Sequence, residues 1–170
     1  MFDRRQKLNL AGAAICAAMF GFAILSEKIW NLVPCPLCMF QRVCIVTLGL
    51  VFLVAGLHRA GRAGSIVYAV LVFLAAGATT WVAGRHVWIQ HQPYGTVPSC
   101  GAPLDALVEM FPLFEGIKRV MTVGGEGGAI DRNFLGLSMP EWVLGLAVVL
   151  GLAGITNNLV NGPVRATRST

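Results

Sequence analysis

Residues 35–57 read CPLCMFQRVCIVTLGLVFLVAGL, a pair of cysteines followed by a run of mostly apolar residues. The run from Met39 to Leu57 is close to the roughly 20 residues that a helix needs to cross a bilayer. Three more stretches qualify by the same rule: Leu8 to Leu25, Ser65 to Val82, and Glu141 to Val160. The sequence therefore predicts an all-α integral membrane protein, with residues 1–170 forming a single bundle of four transmembrane helices.

The composition excludes an ordinary soluble domain. Hydrophobic residues make up 56% of the chain and charged residues only 12%, whereas soluble domains carry about 25% charged residues. The first apolar stretch follows basic residues, as in a signal peptide. It is longer than a signal-peptide core, and no convincing cleavage site follows it, so we expect an uncleaved helix.

The distribution of basic residues predicts the topology. Three segments together hold seven basic residues and one acid, Asp3; the basic residues are Arg4, Arg5, Lys7, Arg59, Arg62, Arg165 and Arg168. The positive-inside rule places these segments, with both termini, in the cytoplasm. Two loops then face outward, at about 26–38 and 85–140. The net charge of +5 follows from this topology and indicates no nucleic-acid partner.

The long outward loop has internal organisation. Apolar residues from Leu104 to Met121 recur at helical spacing, which predicts a short amphipathic helix on the outer leaflet. The run from Gly124 to Gly128 contains four glycines and predicts a flexible stretch.

The five cysteines fall into two groups. Cys35, Cys38 and Cys100 lie in the predicted outward segments, where an oxidising compartment allows disulfides to persist. Cys16 and Cys44 lie within apolar runs and are expected to behave as small hydrophobic residues. The Cys-x-x-Cys spacing at the start of a helix favours redox chemistry, because a helix N-terminus and nearby positive charge stabilise thiolates.

Three motifs resemble those of the disulfide-bond formation protein B (DsbB) family, bacterial inner-membrane thiol oxidases. The first is Pro34-Cys35-Pro36-Leu37-Cys38 with Gln41-Arg42, and the second is the loop Val97-Pro98-Ser99-Cys100-Gly101. The third is Asp131 followed by Phe134-Leu135-Gly136-Leu137-Ser138-Met139-Pro140-Glu141-Trp142. With the four-helix layout, the resemblance covers nearly the whole chain.

The resemblance implies an electron relay with Cys35, Cys38 and Cys100 as its catalytic residues. Electrons would pass from a periplasmic thioredoxin-like thiol oxidase of the DsbA type, through the outer cysteines, to a membrane quinone, either ubiquinone or menaquinone. Cys38 would react with the quinone ring, while Cys35 exchanges with the other loop. Each earlier step would be thiol–disulfide exchange, which needs an attacking thiolate and an accessible sulfur.

Two further residues are candidates for binding the quinone together with Cys38. Arg42 follows Cys38 by one helical turn and could stabilise its thiolate and donate to a quinone oxygen. By family resemblance, His91 matches a residue near the quinone headgroup and could donate to the second oxygen. The alternatives are an arginine that extends to the lipid headgroups and a solvated interfacial histidine.

The chain departs from the family pattern at Gly127. Relatives carry a second loop cysteine seven residues before the Phe-Leu-Gly-Leu signature, where this chain has glycine. Two explanations remain open: a variant whose relay stalls, or a shortened circuit through Cys35, Cys38 and Cys100. Two other functions also remain: an inactive relative that only binds its partner, and a membrane protein whose outer cysteines form a structural staple or bind zinc with His91.

Overall fold

The computed structural model describes residues 3–30, 36–91, 133–134 and 136–161. The described residues form α1 (Arg4–Trp30), α2 (Pro36–Leu57), α3 (Arg62–Gln90), β1 (Asn133–Phe134), β2 (Leu137–Ser138) and α4 (Met139–Val160). All four helices are long and apolar enough to cross a membrane, which confirms the predicted four-helix fold. The segment expected to form an amphipathic helix, 104–121, lies outside the described residues.

Local sequence signals explain where the helices begin. Pro36 is the first residue of α2, a position at which proline costs no hydrogen bond. At the start of α4, the backbone N–H of Ser138 donates to Glu141 Oε2 at 2.6 Å, as in a capping box. A short antiparallel hairpin, formed by β1 and β2, precedes α4. Its turn contains Gly136 at φ +84°, a conformation that favours glycine.

The helices run up and down, with each one packed against its neighbour in sequence. We call the end where α1 and α3 finish and α2 and α4 begin the cysteine end, because it contains Cys38. The opposite end, where Asn9, Asn157 and Asn158 lie, is the asparagine end. Many large apolar side chains point outward, including Phe73, Leu152 and Val160 at 61%, 62% and 80% exposure. An apolar outer surface is expected where lipid is the solvent.

The core lies midway along the bundle. Its buried residues come from all four helices: Cys16, Ile45, Leu48, Phe52, Val72, Ala76 and Leu150. Glycines allow the helices to approach closely, as is common in membrane bundles. A Cβ atom built on Gly49 would lie 3.0 Å from Cys16 Cβ, and one on Gly151 would lie 2.8 Å from Ala76 Cβ.

Gly154 provides a test of this close packing. A Cβ atom there would lie 2.6 Å from Phe52 Cε1 and 2.9 Å from Val72 Cγ1, both on buried side chains. We expect Gly154→Ala to destabilise the protein by about 1–3 kcal/mol, measured by thermal unfolding in detergent. Gly145→Ala is the matched control, since a Cβ there meets nothing within 4 Å. Equal melting temperatures for the two variants would contradict the packing described.

Buried polar side chains join the helices at the asparagine end. Asn9 Nδ2 donates to Asn158 Oδ1 at 3.1 Å, and Asn157 Nδ2 donates to Asn9 Oδ1 at 3.2 Å. The Arg5 guanidinium, 7% exposed, donates to Ser65 Oγ and, at 2.7 Å, to the Ala60 carbonyl. These bonds tie α1 to α4, to α3 and to the segment just before α3, and the asparagine amides are satisfied inside the bundle.

Candidate functional site

Three of the predicted site residues lie at the cysteine end. Cys38 is half-buried in the first turn of α2, Arg42 lies one turn later, and His91 follows the last residue of α3. Cys35 and Cys100, the other two candidates, lie outside the described residues, as does Gly127.

The start of α2 brings Cys38, Gln41 and Arg42 to one side of the helix. At 100° per residue, the three side chains span about 100° around the helix axis. The position of Cys38 in the first turn also places its sulfur near the positive end of the helix dipole. The arrangement therefore combines a thiol, an amide and a guanidinium within the first two turns.

Arg42 is held by a carboxylate from the neighbouring helix. Its Nη1 donates to Glu27 Oε2 at 2.9 Å, and its Nη2 lies 2.6 Å from Glu27 Oε1. The second contact is an ion pair without hydrogen-bond geometry, so Oε1 is buried with no donor among the described residues. Nη2 also donates to the Ala23 carbonyl at 3.4 Å. The two charged side chains are only 16% and 21% exposed, so screening by water is reduced.

Gln41 is a buried polar residue in the second turn of α2, beside Arg42. Its side chain is on the inner side of α2 and the residue is 5% exposed. Within the described part of the chain, no acceptor reaches its Nε2. Because an unpaired buried donor costs free energy, this amide is suited to an acceptor oxygen supplied by another molecule.

His91 has a defined orientation although it is exposed. Its Nδ1 lies 2.8 Å from the Val87 carbonyl oxygen, and a carbonyl can only accept, so Nδ1 carries the proton. Nε2 of the neutral ring is then an acceptor, and it becomes a donor only when the imidazole is protonated. Glu141 of α4 is close enough for its carboxylate to interact electrostatically with this ring.

Further contacts fix the junction between α3 and α4 at the same end. Ser138 Oγ donates to Gln90 Oε1 at 3.0 Å, which attaches the hairpin to the last residue of α3. His86, one turn before Gln90, is 2% exposed. The position of His91 is thus determined by packed elements on both sides.

A large groove lies elsewhere on the bundle. It has a volume of about 620 Å³, opens between α3 and α4, and is lined mainly by small and apolar side chains. Arg85 and Trp88 lie at one end, with the guanidinium 4.5 Å from the centre of the indole ring. Cys38, Arg42 and His91 do not line this groove, so the groove is not part of the candidate redox site.

Glu27 and the buried amide of Gln41 are the two groups that the sequence did not reveal. Glu27 precedes Arg42 by 15 residues on another helix, and only the pairing of α1 with α2 brings them together. One signal was present: an arginine inside an apolar helix requires a partner, and Glu27 is the nearest acid in the sequence.

Comparisons with known proteins agree with the sequence motifs. The family model described as "Disulfide bond formation protein DsbB" matches residues 4–156. A Disulfide bond formation protein B of Xylella fastidiosa is 42% identical over 147 residues, covering 86% of this chain and 85% of the relative. Its counterpart in Xanthomonas campestris pv. campestris is 44% identical over 144 residues, with 84% of each chain covered. That of Chromohalobacter salexigens is 42% identical over 143 residues, with 83% of each covered.

Proposed function

Because this chain belongs to the DsbB family of disulfide bond formation proteins, we propose that it oxidises a periplasmic thiol oxidase of the DsbA type and reduces a membrane quinone. Family membership establishes a multi-pass membrane protein of disulfide bond formation. What we propose is the identity of the partner, the use of a quinone and the roles of the individual residues. The observation that carries it is the grouping of Cys38, Gln41 and Arg42 at the start of α2.

The residues present suit a quinone. The two ring oxygens of a quinone are acceptors and require donors in a mostly apolar surrounding. The guanidinium of Arg42 and the unpartnered Nε2 of Gln41 are such donors. Both lie in the outermost two turns of a helix able to cross a membrane, a depth that a lipid-soluble headgroup can reach. We therefore assign Arg42, Gln41 and Cys38 to the quinone site.

Electrons and protons balance in this scheme. The partner's dithiol is oxidised to a disulfide by exchange, and the two electrons and two protons then reside on the thiols of Cys35 and Cys38. A bound quinone supplies a two-electron, two-proton oxidant. Cys35 and Cys38 close to a disulfide as their electrons and protons leave, which restores the oxidised protein.

The surroundings of Cys38 favour its thiolate, the form that reacts in exchange. The helix N-terminus supplies partial positive charge, and Arg42 supplies a guanidinium one turn away. Cys38 is half-buried, so the residue is not sealed inside the bundle. These features support Cys38 as the thiol nearest the quinone. The exchange of Cys35 with the loop that contains Cys100 is what the family resemblance implies.

His91 has a conditional role in the proposal. Since Nδ1 is bonded to the Val87 carbonyl, the ring donates through Nε2 to a quinone oxygen only in its protonated form. His91 is therefore assigned as a proton-carrying donor, a narrower role than that of a neutral hydrogen-bond donor.

The proposed topology places the cysteine end in the periplasm and the protein in the bacterial inner membrane. The opposite end carries Arg4, Arg5, Lys7, Arg59 and Arg62, in agreement with the positive-inside rule.

A membrane-impermeant maleimide applied to intact cells is expected to label reduced cysteines at the cysteine end. Labelling that requires permeabilised cells would oppose this orientation.

Gly127 favours a second candidate, in which the relay stops after the quinone half-reaction. Cys100 would then form a mixed disulfide with the soluble partner that no second loop thiol can resolve. Mass spectrometry of the non-reduced protein distinguishes the alternatives. A bridge between Cys35 and Cys100 supports the shortened circuit, whereas a trapped partner on Cys100 supports the stalled relay.

Gly127→Cys is expected to raise turnover of the reduced DsbA-type partner severalfold, because Cys100 would gain a resolving thiol. The measurement is partner-dependent quinone reduction at saturating quinone. Gly127→Ser is the matched control, which adds a side chain of similar size without a thiol and should leave turnover unchanged. Equal turnover for glycine and cysteine at this position would show that the shortened circuit suffices.

A further inference from the structure

The guanidinium of Arg42 already has an anionic partner in the folded protein. Glu27 contacts both Nη atoms, at 2.9 and 2.6 Å, and the pair is mostly shielded from water. An anion at Cys38 therefore shares α2 with an arginine whose charge is already paired with a carboxylate. The fraction of the Arg42 charge that acts on an anion at Cys38 depends on how tightly Glu27 holds the guanidinium.

Glu27 also restricts where the guanidinium can lie. An arginine side chain is long and flexible, and without a partner it would extend toward the headgroup region. The contacts from Glu27 and from the Ala23 carbonyl, both on α1, keep it against the first two turns of α2. This location is needed if Arg42 is to serve Cys38 and a quinone oxygen.

We propose that Glu27 is the positioning residue for Arg42, and that it competes with the Cys38 thiolate for the guanidinium. The carboxylate holds Arg42 in place and limits the positive charge that acts on the thiol. The inference rests on the proposed function, since it specifies how the same site is tuned. We assign Glu27 no direct role toward the sulfur or the quinone.

Other charged or titratable groups at this end belong to different surroundings. Lys28 is exposed on α1, and Arg85 stacks on Trp88 beside the groove. His86 is buried in α3, and Glu141 caps α4 next to His91. Among the described residues, Glu27 is the carboxylate that contacts Arg42, so it is the group whose removal should alter the charge available to Cys38.

The test measures alkylation of Cys38 against pH in a Cys35→Ala background, where no Cys35–Cys38 disulfide can form. The reduced full-length protein is treated with iodoacetamide in detergent, and the Cys38 peptide is quantified by mass spectrometry. Glu27→Gln keeps one acceptor oxygen for the Arg42 guanidinium but removes the opposing charge, so the midpoint of the pH profile should fall by about one pH unit. Arg42→Gln should raise it, and the double substitution should fall between the two.

Quinone kinetics, in the presence of Cys35, supply the second readout. If Glu27 acts by positioning Arg42, Glu27→Gln should raise the KM for quinone severalfold, and the same substitution should have no further effect in the Arg42→Gln background. Glu27→Asp keeps the charge and should retain an alkylation midpoint close to that of the parent. If Glu27→Gln cannot be purified, Arg42→Gln and the double variant still test whether the charge of Glu27 acts at Cys38, and equal alkylation midpoints for the two would contradict the inference.

Lys28→Gln is the control for a general charge effect, because it changes one charge at the adjacent, exposed position. Its alkylation midpoint should match the parent. The inference is overturned if Glu27→Gln leaves the midpoint unchanged while Arg42→Gln raises it, or if its effect on KM is the same with and without Arg42. Failure of quinone reduction in the parent protein would instead refute the proposed function, and the alkylation profiles would remain interpretable.

Discussion

Cys38→Ser is expected to abolish dithiol-driven quinone reduction. Serine cannot form a disulfide, and its hydroxyl does not ionise near neutral pH, so the electrons have no path from the thiols to the quinone. We expect the rate to fall by at least about 10³-fold, as when a nucleophile is deleted from an enzyme. The measurement is the loss of quinone absorbance under anaerobic conditions, with dithiothreitol as the electron donor.

Cys44→Ser is the matched control for this substitution. Cys44 lies further along the same helix and is also half-buried, but it falls within the apolar run and is not part of the proposed relay. Its quinone reduction should equal that of the parent. Residual quinone reduction in Cys38→Ser at the parental rate would show that another thiol is the electron donor.

Arg42→Ala is expected to have the second-largest effect. It removes the guanidinium that we propose supports the Cys38 thiolate and donates to the quinone, and it leaves Glu27 as a half-buried carboxylate without its partner. We expect kcat/KM for quinone to fall by about 10²-fold, the usual cost of one well-placed donor. Arg42→Lys should be intermediate, since it keeps the charge but loses the two-point contact with the carboxylate.

Arg85→Ala provides the comparison for a second arginine at the same end. Arg85 stacks on Trp88 at the groove between α3 and α4, apart from the start of α2. Its removal should leave quinone kinetics within about twofold of the parent if electrostatics at this end act locally. A similar loss of activity in both arginine variants would indicate a general effect of surface charge and would oppose a specific role for Arg42.

The four helices could be predicted from the sequence because the requirement is simple. Any stretch of about 20 apolar residues must satisfy its backbone internally when lipid surrounds it. Tertiary contacts are less accessible to such reasoning. Arg5 reads in the sequence as one of several basic residues of a cytoplasmic tail, yet its guanidinium is buried against Ser65. The contacts of Asn9 with Asn157 and Asn158 depend on the packing of α1 against α4.

The candidate site was predicted in part. Spacing alone placed Cys38 and Arg42 on one side of a helix, and the structure adds the partner that spacing could not provide, Glu27. For His91, the family resemblance implied a hydrogen-bond donor, but the bond from Nδ1 to the Val87 carbonyl restricts donation through Nε2 to the protonated ring. Such details require the backbone geometry at the end of α3, which motif matching does not supply.

Transfer of two electrons from Cys35 and Cys38 to quinone can be measured directly in a single turnover. The fully reduced protein, freed of excess reductant, is mixed anaerobically with one equivalent of quinone, and both quinol and protein thiols are counted. We predict one quinol formed per protein, with a disulfide joining Cys35 and Cys38. Formation of quinol while both of these thiols remain reduced, or no quinol at all, would contradict the assignment.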